Sequence, residues 1–378
     1  MTDTIAYLDH NATAPVRPEA VAAVAEVLSL IGNPSSVHRA GRAARSRLER
    51  ARDQVAALVG ASPSDVVFTS GGSEANMLAM VGTGRTRILV SAVEHASVLE
   101  VVPEAARIPV DSNGIIDLAA LEALLASDTR PALVAVMLAN NETGVIQPVR
   151  DVVAVANRYD ALVHCDAVQA AGKIPVDLAS LGVHLMSVSA HKLGGPAGAG
   201  ALIIRPGVTV AAVQRGGGQE RGRRGGTENL PGIVGFGAAA EAALAGLPAA
   251  GALALQRDRL ERRLEAEVPG CRPIAASAPR LPNTTCISLP GVASEVQVMA
   301  LDLAGVCVSA GAACSSGKTG RSHVLKAMAV HPVIADAAIR VSLGWTTTEG
   351  DINRFVTAWC ALAARIGPRR QARVASAA

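Results

Sequence analysis

The sequence predicts an α/β protein, with a mostly parallel sheet covered by helices and a smaller α+β domain after it. Three observations support this. Between residues 66 and 205, six short apolar runs (66–68, 87–91, 133–138, 161–165, 184–188 and 201–205) alternate with helix-patterned segments. Strands that are apolar on both faces belong to a sheet buried on both sides. At 378 residues the chain is also longer than one hydrophobic core supports. Finally, the alternation resumes on a smaller scale beyond an Ala/Gly/Pro-rich joint at 248–251. The expected division is a large domain over 13–250 and a small one built from 1–12 and 251–378.

The first dozen residues read as a strand or extended arm leading into Pro15 and Pro18. A helix should start near Arg17, because Val21, Val24 and Leu28 recur at helical spacing, and Gly32 should end it. The turn Asn33-Pro-Ser-Ser offers hydroxyls to cap an arginine-rich helix running to about Val59. Leu48, Val55 and Leu58 mark its inner side, and its arginines should face solvent or another subunit. Residues 230–255 are rich in Ala, Gly, Leu and Val, with one charge, Glu241. That central glutamate, with Pro231 and Pro248, argues for a tightly packed internal helix rather than a membrane span. Strands are then expected at 284–289, 306–308 and 339–343, and helices at 253–268, 295–303, 322–328 and 349–365.

A formal charge of +3 is too small and dispersed to argue for nucleic acid. The local excess at Arg215, Arg221, Arg223 and Arg224 reads as a solvated or anion-facing loop. Six cysteines without a C-x-x-C pair argue against structural zinc and suit a reducing cytoplasm. No apolar leader is visible at the N-terminus. The expectation is a soluble cytoplasmic protein.

Candidate chemistry gathers where the apolar runs end, the place where open α/β sheets bind ligands. The stretch Ser187-Val-Ser-Ala-His-Lys-Leu-Gly-Gly-Pro-Ala-Gly-Ala-Gly200 puts Lys192 directly after a strand, followed by glycines that let backbone approach a ligand. A desolvated lysine is what a Schiff base with an aldehyde needs. Such a site in a pyridoxal phosphate enzyme also requires a carboxylate for the pyridinium nitrogen and a phosphate cradle. Asp166 ends the run 161–165, with Gln169 one turn further on. Thr69-Ser-Gly-Gly-Ser-Glu-Ala-Asn-Met77 is a glycine turn opening a helix, which presents free N–H groups to an anion. Cys314 sits among Ala, Gly and Ser, with no large apolar neighbour to bury it, and so reads as an accessible thiol.

Taken together, these segments resemble cysteine desulfurases of the NifS/IscS type, in the class V aminotransferase group of fold-type I pyridoxal phosphate enzymes. The resemblance is also carried by Tyr7-Leu-Asp-His-Asn-Ala-Thr13, Asn33-Pro-Ser-Ser-Val-His-Arg-Ala-Gly-Arg42, Glu94-His-Ala-Ser97 and Asn140-Asn-Glu-Thr-Gly-Val-Ile-Gln147. Further matches are Gly216-Gly-Gly-Gln-Glu220, Arg224-Gly-Gly-Thr-Glu-Asn229, Ser309-Ala-Gly-Ala-Ala-Cys-Ser-Ser-Gly317 and Ile339-Arg-Val-Ser-Leu-Gly344.

The resemblance implies that Lys192 holds the cofactor and moves the substrate's α-proton. It implies that Asp166 pairs with the ring nitrogen, Gln169 bonds the phenolic oxygen, and His95 stacks on the ring and shuttles protons. Gly72, Ser73, Ser189 and His191 would hold the phosphate, joined by Thr227 from the neighbouring subunit of a homodimer. Arg340 would grip the substrate carboxylate, with Asn141 assisting at both cofactor and substrate and with Asn11 in the arm. Cys314 would take sulfur from L-cysteine as a persulfide, leaving alanine, and pass it to an acceptor or iron–sulfur scaffold protein. No permanent metal is implied, although Cys314 could ligate a transient iron–sulfur cluster. The alternatives are a selenocysteine lyase or cysteine sulfinate desulfinase on the same scaffold, and a noncatalytic sulfur carrier. His10 and Ala14 depart from the usual arm pattern, where relatives carry asparagine and threonine.

Overall fold

The computed structural model describes residues 5–311 and 321–366, so Cys314 lies outside the described residues. The chain opens with a short strand β1 (Ala6–Tyr7), then α1 (Pro18–Leu28) and α2 (Arg39–Leu58). Next come β2 (Val66–Thr69), α3 (Gly72–Gly82), β3 (Arg87–Ser91), β4 (Ala106–Ile108), β5 (Ala132–Met137), β6 (Leu162–Asp166), β7 (Leu185–Ser189) and β8 (Gly200–Ile204). These seven strands form one sheet in the order β2-β8-β7-β6-β5-β3-β4. The pairs among β3 to β7 are parallel, while β8 runs antiparallel to both β7 and β2. The reversal follows from chain length: β8 begins eight residues after Lys192, and a connection that short returns the chain beside itself rather than over a helix.

Alternation along the strands sorts the core into two layers. Val134, Val136, Val163, Met186 and Val188 pack with one cluster, and Leu133, Ala135, Leu185 and Leu202 with the other. Every residue of β5 is buried, as strands covered on both faces require. Emptying such a position, for example Leu133→Ala, costs about 2–5 kcal/mol.

The run that raised the membrane question, Leu230–Glu267, is long and apolar enough to cross one by length and composition. Its first helix, Leu230–Gly246, instead buries Ile233, Phe236, Ala239 and Ala240 in the core and lies against α1 and α2. Small residues set that approach: a Cβ on Gly237 would stand 2.7 Å from Ala51 Cα, and one on Gly235 would stand 2.6 Å from Val24 Cγ2.

Beyond it lie β9 (Arg272–Pro273), β10 (Thr284–Ser288), β11 (Val306–Cys307), β12 (Ser309–Ala310) and β13 (Ala338–Ser342). An antiparallel sheet in the order β12-β13-β10-β9 carries its own core, including Leu260, Leu264, Ile287, Val341, Phe355 and Trp359. Ala6 and Leu8 belong to this core, because β1 pairs parallel with β11.

Several expectations change. α1 ends at Leu28, before Gly32. α2 is capped by His38, whose Nδ1 accepts from Gly41 N, and not by the serines. Arg52 turns inward, pairing with Glu220 Oε2 at 2.8 Å and stacking on Phe68. At the joint expected over 248–251, a single 3-10 turn, Leu247–Ala249, links Leu230–Gly246 to the next helix, which starts at Ala250 rather than 253 and runs to Glu267. The elements missed altogether, β4, β9, β12 and Pro332–Ala335, have two to four residues each, too few for a periodic pattern.

Candidate active site

A cavity of about 270 Å³ opens at the carboxyl ends of β5, β6 and β7, lined by Gly72, Ser73, Asn76, His95, Asn141, Asp166, Gln169, Ser189, His191 and Lys192, among others. Nine residues expected from the sequence therefore meet around one space. Asp166 closes β6 and is largely buried. Its Oδ1 accepts from Val168 N at 3.0 Å, and its Oδ2 accepts from Asn76 Nδ2 at 2.8 Å. The strand end and the following turn thus aim a fixed carboxylate into the cavity.

Lys192 follows β7 in a short 3-10 turn, and its Nζ donates to the carbonyls of Asn11 and Ala12, both at 2.7 Å. His95 caps the helix Ala96–Leu99, with its Nδ1 accepting from Ser97 N at 3.0 Å. In the neutral ring this bond leaves the proton on Nε2. Burial lowers the pKa of His95 despite nearby Asp166, with Lys192 adding to the lowering, so the imidazole is held neutral. His191 is pushed down to about 4 by burial, with Lys192 and Lys173 adding to it. Behind His95, the buried Glu94 accepts from Met137 N at 2.6 Å through Oε1, while Oε2 has no partner. Burial, reinforced by Asp166, raises its pKa well above the usual carboxylate range.

Three expected residues stand elsewhere. Asn11 is buried with every side-chain valence in use. Its Nδ2 donates to Thr284 Oγ1 and Asn141 O, and its Oδ1 accepts from Lys173 Nζ and Asn283 Nδ2. It ties the arm to the rest of the chain and has nothing left to offer a substrate directly. Arg340, on β13, is only 1% exposed; one nitrogen donates to Asp9 Oδ1 at 2.7 Å, another donates to Asn141 O at 3.0 Å, and Nε has no partner. A substrate carboxylate would have to compete with Asp9 for it. Thr227 is exposed and does not line the cavity of its own chain.

Sequence reasoning assigned no role to Asp9, Glu94, Asn76 or Lys173. The first three lie inside quoted motifs without a chemical signal of their own. Lys173 follows Gln169 by four positions, but Gly172 at φ 76° turns the chain between them, so helical spacing is no guide.

A lysine, a buried carboxylate and a neutral imidazole around one strand-end cavity define a lysine-dependent carbonyl-cofactor enzyme. The chain belongs to the aminotransferase class-V family, whose model matches residues 6–355. It is 46% identical to the "Cysteine desulfurase" of Cereibacter sphaeroides over 365 residues, covering 93% of each chain. It is 41% identical to the "IscS-like cysteine desulfurase" of Mycobacterium tuberculosis (strain ATCC 25618 / H37Rv), covering 92% of this chain and 94% of that one. The solved NifS-like protein from Rickettsia africae ESF-5 superposes with a TM-score of 0.88 at 35% identity, over 94% of this chain and 98% of that one. The family is pyridoxal phosphate-dependent.

The cavity suits that cofactor. Gly71 precedes the eleven-residue α3, with nothing within 4 Å of where its Cβ would stand, so the helix start is open to a phosphate. Ser189 and His191 border the same space, and Asp166 and Lys192 supply the carboxylate and the amine.

Proposed function

We infer that the protein is a pyridoxal phosphate-dependent cysteine desulfurase that converts L-cysteine to L-alanine and hands the sulfur to an acceptor. The carrying observation is the convergence of Lys192, Asp166, His95 and Gln169 on one cavity in a chain 41–46% identical to proteins named cysteine desulfurase.

In this reading Gly72 and Ser73 receive the phosphate at the start of α3, together with Ser189 and His191. Asp166 would pair with the ring nitrogen, Gln169 would meet the ring oxygen, and Lys192 would hold the aldehyde group. Bound there, pyridoxal phosphate supplies an electron sink for charge developing on the substrate carbons. The Lys192 amine would move the proton at the substrate's α-carbon. The carbonyls of Asn11 and Ala12 give its amine a resting place within reach. His95, neutral and with its proton on Nε2, covers the ring and moves a proton at the substrate sulfur. Arg340 exchanges Asp9 for the substrate carboxylate, assisted by Asn141.

Cys314, outside the described residues, is proposed as the nucleophile. Its thiolate attacks the substrate sulfur and forms an S–S bond as the carbon–sulfur bond breaks. The bonding electrons leave with carbon, which takes up a proton. The balance is cysteine plus enzyme thiol giving alanine plus enzyme persulfide, with no outside oxidant.

We also propose a homodimer and a cytoplasmic location. Exposed Leu28, Ile31 and Val37 on and after α1 supply apolar surface for a second copy, and exposed Thr227 suits a role in that copy's site. The five described cysteines are free, which suits a reducing compartment. Iron–sulfur cluster assembly is the proposed destination of the sulfur, consistent with the IscS-like and NifS-like names of the relatives.

Mass spectrometry of cofactor-loaded protein after brief exposure to L-cysteine without reductant should find alanine and one added sulfur on Cys314. Cys314→Ala should keep the cofactor and lose desulfuration. Alanine formed with Cys314 unmodified would instead indicate a lyase that bypasses the thiol.

A further inference from the structure

Lys173 is a second lysine beside the active-site lysine. Its stem borders a separate cavity of about 220 Å³ behind Lys192, lined also by His10, Arg17 and Trp345. The side chain is half-buried, and its amine donates to Gln169 Oε1 at 2.6 Å and to Asn11 Oδ1 at 2.7 Å. A buried lysine in a purely structural role is ordinarily matched by a carboxylate. Here both hydrogen-bond partners are amide oxygens, and the neighbouring charges, Lys192 and Arg340, are positive. With burial as the main cause, they push the Lys173 pKa well below its ordinary value. Such a costly placement calls for a return in function.

The geometry supplies one. Gln169 borders the cofactor cavity, and its amide has an accepting end and a donating end. With Lys173 holding Oε1, Nε2 faces the other way and donates one hydrogen to Asn11 O at 2.9 Å. That leaves its second hydrogen for the cavity. A flipped amide would set donor against donor at Lys173, an expensive arrangement in the interior. The Asn11 carbonyl that receives Gln169 also receives Lys192 Nζ, and Asn11 Oδ1 is held by Lys173. One amine therefore fixes both the direction of the Gln169 amide and the arm carbonyl where Lys192 rests.

We propose that Lys173 is a positioning residue that makes Gln169 a donor, never an acceptor, toward the ring oxygen of bound pyridoxal phosphate. The inference rests on reading the cavity as the cofactor site, but its test needs no turnover of cysteine. A donor at the ring oxygen stabilises the anionic oxygen and so keeps the pH midpoint of the cofactor's visible absorption low.

In cofactor-loaded Lys173→Met, which keeps the side chain's length, the amide is free to turn and the midpoint should rise by about one pH unit. Lys173→Gln, which still offers a donor to Oε1, should stay near the parent value. Gln169→Ala should raise the midpoint similarly, and the double variant Lys173→Met/Gln169→Ala should rise no further than Gln169→Ala alone. An unchanged midpoint in Lys173→Met would overturn the proposal. So would additive shifts in the double variant, which would mean that Lys173 acts by its own charge. Failure of both Lys173 variants to bind cofactor at an unchanged melting temperature would overturn it as well, in favour of a direct role in binding. If the parent protein forms no alanine from cysteine yet these shifts appear, the positioning role stands and only the substrate assignment falls.

Discussion

The two sides of the cavity are held in opposite ways. On the strand-end side, Asp166, Ser189 and Lys192 are placed by backbone: each sits at or just past the end of a buried parallel strand, and its position follows from sheet topology. On the arm side, Asp9, Asn11, Asn141, Thr284 and Arg340 are placed mostly by one another, and nearby Glu142 by Ser322, through buried polar contacts between segments far apart in sequence. A group set by topology can be exchanged with little effect on folding. One set by a buried polar network cannot, because its partners are left uncompensated. Chemistry should therefore be most sensitive on the strand-end side, and stability on the arm side.

The largest effect expected is chemical. Asp166→Asn keeps size and its place on β6 but removes the charge that faces the cavity. Turnover of cysteine should fall by roughly 10²–10³, the scale of losing one charge-stabilising group. The melting temperature of the cofactor-free protein should move less than on loss of the arm-side ion pair, because Asn76 can turn its unpartnered Oδ1 toward the new amide. Steady-state alanine production and thermal unfolding, measured side by side, check this, and a large loss of cofactor-free stability would erase the contrast between the two sides.

The counterpart on the arm side is Asp9→Ala. It leaves the Arg340 guanidinium, almost wholly buried, with Asn141 O as its remaining hydrogen-bond partner among the described residues and without its paired carboxylate. It also strips Ser309 Oγ of its acceptor at 2.7 Å. Breaking one half of a buried pair costs about 3–5 kcal/mol. Denaturant unfolding of the cofactor-free protein should show a loss of this order, well beyond that of Asp166→Asn. If cysteine still binds, its carboxylate fills the vacancy, and saturating substrate should recover part of the lost stability.

The same contrast explains what could be read in the sequence. Lys192, Asp166 and the glycine turn before α3 were legible because an apolar run followed by a polar residue or glycines is a local pattern, as were six of the seven strands of the large sheet; His95, Asn141, Ser73, Ser189 and His191 were named only through the family resemblance. The present partners of Asn11 and Arg340 were not legible. Each was expected at the substrate; Asn11 is satisfied internally by Thr284, Asn141, Lys173 and Asn283, and Arg340 is engaged by Asp9, which a substrate carboxylate would have to replace. Nothing local in sequence announces a contact across 272 or 331 positions. Arg52 was misjudged for the same reason: its helix reads as arginine-rich surface, while its partner Glu220 lies 168 residues away.

The smallest expected effect belongs to Glu142, on the arm side. Its Oε2 accepts from Ser322 Oγ at 2.5 Å, and a Cβ on Gly311 would stand 3.0 Å from the same oxygen. Burial pushes its pKa up to about 7, against lowering by Ser322 and Arg340. The folded state therefore holds a proton that the unfolded chain, with a carboxyl near 4.5, releases much earlier on raising pH. Between those values the native state binds more protons, so stability contributed by this group is fully present below about pH 4.5 and declines as pH rises toward 7. From pH 5 to pH 7 the decline is about 2 kcal/mol. Glu142→Gln, which cannot ionise, should remove that part of the slope, read as the difference between the two unfolding-versus-pH curves. The difference cancels the similar contribution of Glu94, which both proteins share. Identical slopes would mean that Glu142 is not held protonated, and that the arm-side network carries a compensated charge where its geometry indicates a neutral hydrogen-bonding group.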